Sequence, residues 1–206
     1  MVQVATRTRR WTFDPVVLGR SECDAWVAYY RREWVPFLRC AVALVRSGYG
    51  MGRRRSLVGA WYVLRANQAW APFPDNDPAA AVEFMRRFYA LVARSGHPHL
   101  DPGHAAELEV AWWRVHREHQ HDLAVTAGEL VDSLNAVYAY VYDAPPSLTE
   151  KAARLRVEAM DLSDDWVQAG CDRADPRLSA ERRALVASYS ALRDATDRRA
   201  RGSVEG

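Results

Sequence analysis

Cysteine is scarce in this chain and lysine is almost missing. The 3 cysteines, Cys23, Cys40 and Cys171, stand far apart without a CxxC spacing. That argues against a disulfide framework or a cysteine zinc site and points to a reducing compartment. Lys151 is the sole lysine among 28 basic residues, which 26 acidic ones nearly balance to leave a net charge of +2. Arginine used almost alone, without a basic surplus, fits a GC-rich coding bias better than nucleic-acid binding, so no nucleic-acid partner is expected. Long apolar runs are also lacking. The longest, Leu57 to Leu64, falls far below the roughly 20 residues that span a bilayer. The first twenty positions hold charge but no apolar leader segment. A soluble, cytoplasmic protein with no membrane partner is therefore expected. GxGxxG, P-loop, GxSxG and HExxH patterns are all absent, which leaves dinucleotide, Walker-type, serine-hydrolase and zincin readings without support.

What the chain does have is helical periodicity. No segment sustains the two-residue alternation of a strand, and 206 residues at 49% hydrophobic content suffice for one core. The expectation is an all-α fold, a single compact bundle of about seven helices over residues 11–197, with disordered tails at 1–10 and 198–206. The first helix is expected from about Glu22 to Ser47, capped by Ser21 and kinked at Pro36. A second follows near Ser56 to Trp70, turning Leu57, Trp61 and Leu64 inward with Arg65 at the edge. Asp77 and Pro78 have the form of an N-cap and first helical residue for a third, ending near Arg94. A fourth runs from about Gly103 to Val125 and a fifth from Glu129 to Asp143. A sixth begins at Ser147 as cap and stops near Gly170, and the last spans Ser179 to Asp197. In number and length these helices are similar to the compact helical oxidases of the haem-oxygenase-like type, a likeness of architecture without a ligand motif.

Polar groups inside the apolar stripes supply the candidate chemistry. At about 100° per residue, Glu33 falls among Trp26, Tyr29, Tyr30, Phe37, Cys40 and Leu44, and so is expected to point into the core. Glu109 and His116 share a stripe with Trp112, Trp113 and Leu123. Buried ionisable groups need a partner or a metal, so Glu33, Glu109 and His116 are the candidate catalytic residues. The same three, with His119 and Asp161, are the candidate metal ligands. Carboxylate and imidazole donors in a helical bundle suit iron or manganese. Glu109 and His116 lie about 10.5 Å apart along a helix, too far to share one ion but able to flank a dinuclear centre or a substrate. A competing reading is a structural network in which Glu33 pairs with Arg65, and His116 with Glu109 or a tyrosine.

Other patterns weigh less. Glu118 and His121 form an ExxH pair on a face that reads as solvated, and His97, His99 and His104 fall in a proline-containing loop. Glu158, Asp161, Asp164 and Asp165 have a spacing able to hold hydrated Mg²⁺ against a diphosphate, although most of them read as a solvated face. Arg53, Arg54 and Arg55 form a basic corner at a helix start, suited to an anion or an acidic carrier or partner protein.

Eight tryptophans are many for this length. Trp26, Tyr30, Trp61, Arg65, Trp112 and Trp113 are the expected lining of a pocket for a small apolar or aromatic ligand. Three functions remain open. One is a metal-dependent oxygenase or oxidase of a small organic substrate. Another is a non-enzymatic helical protein that binds a ligand or partner around a structural polar network. The third is a metal-free acid–base catalyst or cyclase.

Overall fold

The computed structural model of the chain describes residues 11–121 and 124–202, and these form α-helices without any strand. In chain order they are α1 (Pro15–Tyr30), α2 (Trp34–Tyr49), α3 (Arg53–Trp70), α4 (Pro78–Ala93), α5 (Pro102–His121), α6 (Ala127–Val141), α7 (Pro146–Gln168) and α8 (Arg177–Gly202). The all-α expectation holds, and the bundle is compact. Each helix packs on its neighbours in the chain, and α8 closes back onto α1. Such a ring has a middle that no backbone occupies, so long side chains must reach in from several helices to fill it. Trp70, Trp112, Trp113, Tyr89, Tyr138 and Tyr189 do so as part of one continuous apolar cluster.

The expected first helix is two helices, and this explains eight elements where about seven were counted. α1 begins earlier, at Pro15, with Asp14 Oδ1 accepting from the Val16 N–H at 2.8 Å; Ser21 lies inside the helix instead of capping it. It ends at Arg31. Arg32 then adopts φ of 58° and Glu33 becomes the N-cap of α2. The turn reverses the chain, and α2 lies beside α1. Pro36 thus falls in the first turn of α2, where a missing N–H costs no hydrogen bond; inside one long helix it would have cost about 3 kcal/mol.

Local signals place several boundaries well. Asp77 caps α4 through the Ala80 N–H at 2.9 Å, with Pro78 in first place as expected. Gly170 takes φ of 97° just beyond α7, the left-handed conformation that ends helices. α6 starts earlier than expected because Thr126 and Glu129 form a capping box. α7 starts with Pro145 as cap and Pro146 as its first residue, so Ser147 belongs to the first turn. α8 runs on to Gly202, past Asp197. Residues 1–10 and 203–206, where disordered tails were expected, lie outside the described residues.

α3 departs from its expected phase. Leu57 and Trp61 are exposed, at 57% and 48%, while Ser56, Gly59, Ala60, Leu64 and Ala66 are buried. The reason is close approach. A Cβ on Gly59 would stand 3.2 Å from Val45 Cγ1 on α2 and 3.4 Å from Phe88 Cδ2 on α4. The small face of α3 lets both neighbours come near, and the larger side chains are left outside.

Candidate functional site

Two chambers occupy the middle of the ring. The outer has a volume of about 800 Å³, and its wall includes Tyr29, Tyr30, Trp70, His116 and Asp164. The inner, of about 200 Å³, is walled by residues of all eight helices, among them Leu18, Phe88, Glu109, Tyr138, Arg156 and Tyr189. Trp26, Phe37, Asn67, Trp112 and Trp113 line both and form the partition. Four of the six expected pocket residues, Trp26, Tyr30, Trp112 and Trp113, therefore face a chamber. Trp61 and Arg65 do not. The phase of α3 leaves both outside, where the Arg65 guanidinium stands 5.9 Å from the Trp61 ring and 5.4 Å from that of Phe84.

In the outer chamber, α5 and α7 present matched pairs. His116 Nε2 donates to Asp164 Oδ2 at 3.1 Å. The other oxygen of Asp164 accepts from Gln120 Nε2 at 2.6 Å and from Tyr30 OH at 3.3 Å. His116 Nδ1 makes no hydrogen bond within the protein, the arrangement in which a carboxylate orients an imidazole for proton transfer. Burial and the nearby Asp164 charge raise Tyr30 well above the usual phenol range, so its hydroxyl remains a donor. One helical turn further along each helix, His119 Nε2 stands 3.6 Å from Asp161, and His119 Nδ1 donates to Val125 O at 2.7 Å. Asp161 is more than half exposed, yet partial burial still raises its carboxyl, opposed by His119. Arg117 rims the chamber, 5.5 Å from the Trp70 ring and 5.2 Å from the ring of Phe73, while Phe73 stacks on His121 at 4.9 Å.

The inner chamber holds a second polar group, built around a buried ion pair. Arg156 Nη2 bonds Glu22 Oε1, Arg156 Nη1 donates to Tyr138 OH at 3.1 Å, and Tyr189 OH donates to Glu22 Oε2 at 2.7 Å. Beside it, Glu109 accepts from Tyr89 OH at 2.8 Å and Trp113 Nε1 at 3.3 Å. Burial pushes the Glu109 carboxyl up, with Arg156 and these donors opposing. Trp112 also leans towards Glu109, but its Nε1 makes no hydrogen bond of good geometry.

Glu33 is corrected outright. It does not point into the core and does not meet Arg65. At the break between α1 and α2 its side chain is 29% exposed, accepts from Arg31 Nε at 2.8 Å and pairs with Arg173. The hydrogen bond from Arg31, followed by the charge of Arg173, holds its carboxyl below the usual range. His116 is paired with Asp164 rather than with Glu109 or a tyrosine, so the expected trio is divided between the surface, the inner chamber and the outer chamber. Among the described residues no group of three or more His, Cys, Asp or Glu side chains stands close enough to share an ion. His116 and His119 are each turned to an aspartate. Glu158 and Asp165 are exposed, as a solvated face requires, and Arg53, Arg54 and Arg55 are exposed as well.

Tyr189 shares the buried stripe of α8 with Leu185 and Leu192, whereas Glu22 and Arg156 were not singled out from their helical stripes. The one available signal was Glu22, four residues from both Leu18 and Trp26 and so on their stripe. Asp164 had a clearer signal: its spacing from Asp161 on α7 matches that of His116 from His119 on α5. No family model, curated protein or solved structure matches the chain, and the likeness to haem-oxygenase-like oxidases gains no support.

Proposed function

We propose that the chain binds a small, mainly apolar organic molecule of aromatic dimensions in the outer chamber, and acts on it as a metal-free acid–base catalyst through His116. The observation that carries this reading is a histidine–aspartate pair lining a chamber of about 800 Å³ whose wall sets tryptophan and tyrosine beside polar side chains such as Arg117, Gln120 and Asp161. Apolar walls with a few placed polar groups are the usual composition of a small-molecule site. Within it Asp164 holds the imidazole in one tautomer and balances the charge formed when Nδ1 takes a proton. Gln120 and Tyr30 in turn fix Asp164. The aromatic side chains seat the ligand, and the same nitrogen returns the proton elsewhere on it. The reaction class is proton abstraction and return, as in an isomerisation or cyclisation.

The binding half is tested with N-phenyl-1-naphthylamine, an uncharged dye that brightens in apolar cavities. Saturable one-to-one binding, weakened by Trp113→Arg, is expected; a folded wild-type protein that does not bind it refutes the cavity reading. For the catalytic half, His116→Asn should lower turnover by about 10²-fold or more, whereas a chelator should leave it unchanged. Activity lost to the chelator and restored by iron or manganese would favour the metal-dependent oxygenase reading instead.

A further inference from the structure

Arg32 and Arg117 both line the outer chamber, and among the described residues neither meets a carboxylate. Elsewhere on the surface arginines find acids: Arg86 and Arg87 share Glu83, Arg154 takes Glu150, and Arg31 and Arg173 divide Glu33 between them. Arg32 stands between Arg31 and Glu33 in the chain, yet its hydrogen bond runs from Nη2 to the Ala71 carbonyl at 2.8 Å. Arg117 donates only to the Tyr29 hydroxyl, at 3.4 Å. The two share their surroundings. The Arg32 guanidinium carbon lies 5.7 Å from the ring of Tyr29, the side chain that Arg117 bonds, and Ala71 directly follows Trp70, which the Arg117 guanidinium approaches at 5.5 Å. Tyr29 and the end of α3 thus gather both cations. Contact with a ring takes up no N–H, so most donors of each guanidinium have no protein partner.

Arg32 also holds a conformation that is costly for it. Its φ of 58° is in the left-handed region, and the position just past a helix end that adopts it normally carries glycine or asparagine. The turn itself does not call for an arginine. A charged side chain kept at a strained position on the wall of a chamber is the kind of outlier that accompanies a binding site. We propose that Arg32 and Arg117 form an anion clamp and that the ligand of the outer chamber is an aromatic carboxylate. The proposal rests on the ligand-cavity reading above and deepens it by naming the ligand's chemical class. The carboxylate lies at the arginines and the ring system among Trp70, Trp112 and Trp113. Arg117 follows His116 directly on α5, so one helix carries both part of the clamp and the proposed base.

The charges of this chamber are kept apart. Asp161, Asp164 and Asp165 also line it, yet none pairs with either arginine: Asp164 is held by His116, Gln120 and Tyr30, and Asp161 stands near His119. Two neighbouring tyrosines record the division. Burial raises both phenols, but Arg117 and Arg32 oppose it at Tyr29, whereas Asp164 adds to it at Tyr30. An anionic end of a ligand is therefore drawn to the Tyr29 side and repelled from the Tyr30 side. The same aspartates limit the ligand's charge. They outnumber the arginines on the wall, so a single negative charge is accepted where a phosphate dianion would meet stronger repulsion. A carboxylate also matches the planar guanidinium, which can hold both of its oxygens.

Three probes of one shape test the inference by calorimetric titration at neutral pH: 2-naphthoate, 2-naphthamide and 2-naphthamidine, whose end groups are anionic, neutral and cationic. Naphthoate should bind the wild-type protein more tightly than the amide by about tenfold or more, the worth of one charge-assisted hydrogen bond, and the amidine should bind most weakly. Arg117→Gln and Arg32→Gly should each remove most of that advantage and leave naphthamide affinity nearly unchanged. Glycine is the residue that a φ of 58° favours, so Arg32→Gly keeps the test open where Arg117→Gln does not fold. Equal binding of naphthoate and naphthamide by the wild type overturns the clamp but leaves the cavity reading standing, as does a naphthoate preference that the variants retain. Tightest binding of naphthamidine overturns the charge assignment and with it the proposed ligand class. Failure of all three probes also overturns the clamp; if N-phenyl-1-naphthylamine fails as well, the cavity reading falls with it.

Discussion

Glu181 on α8 gives the sharpest prediction of stability. Its side chain is fully buried, and neither carboxylate oxygen makes a hydrogen bond of good geometry, with the Cys23 thiol as the one nearby donor that acts on it. Burial, helped by the negative charge of Glu22 and opposed by Cys23 and Arg182, pushes its carboxyl up to about 8 from the usual 4.5. The folded chain therefore keeps a proton that the unfolded chain has lost throughout that interval. Stability tied to Glu181 is fully present below pH 4.5, falls as pH rises and is exhausted above about pH 8. Each pH unit within the window removes about 1.4 kcal/mol, which amounts to about 5 kcal/mol in all. Glu181→Gln keeps the shape and buried polarity but cannot ionise, so the difference between variant and wild type isolates this group from every other titration. Urea unfolding followed by circular dichroism between pH 5 and 9 should show the two proteins nearly equal at the acid end. The variant should become more stable as pH rises, by about 5 kcal/mol or roughly 10–20 °C in melting temperature at pH 8 and above. Parallel curves across the whole range would refute the reasoning and place Glu181 in contact with water or a cation when folded.

Two further substitutions probe the interior. Arg156→Met leaves Glu22 buried with only Tyr189 as donor, and should cost about 3–5 kcal/mol in urea unfolding; adding Glu22→Leu should recover much of that, and a double variant worse than the single one would show that the pair is not a coupled unit. A Cβ on Gly19 would lie 2.6 Å from Val186 N and 2.8 Å from Val186 Cα, so Gly19→Ala must push α1 away from α8 and should destabilise by about 1–3 kcal/mol, a result that unchanged thermal unfolding would contradict.

Helix type and most helix ends were legible locally because their causes are local. Asp77 with Pro78, Gly170 at positive φ, and Pro145 with Pro146 act within a few residues of themselves, and each marks a boundary that the fold uses. The aromatic stripes of α1 and α5 were legible for the same reason: Trp26, Tyr30, Trp112 and Trp113 recur at helical spacing and all face a chamber. Arg31 to Glu33 had no such signal. A three-residue reversal without glycine reads as helix on a wheel, and this one error moved Glu33 from the surface into an imagined core.

The sequence by itself determined that the chain is helical, where several helices start and stop, and which aromatic side chains of α1 and α5 face inward. Only the tertiary structure decided which polar groups meet. His116 and Asp164 are 48 residues apart, and Glu22 and Arg156 are 134 apart; nothing in the spacing along one helix says which residue of another will stand opposite. That choice depends on the ring closure of α8 onto α1 and on close contacts such as Gly19 against Val186 and Gly59 against Val45. Small residues with no hydrophobic signature set the distance and rotation of one helix against the next, and those distances select the polar pairs that line the chambers.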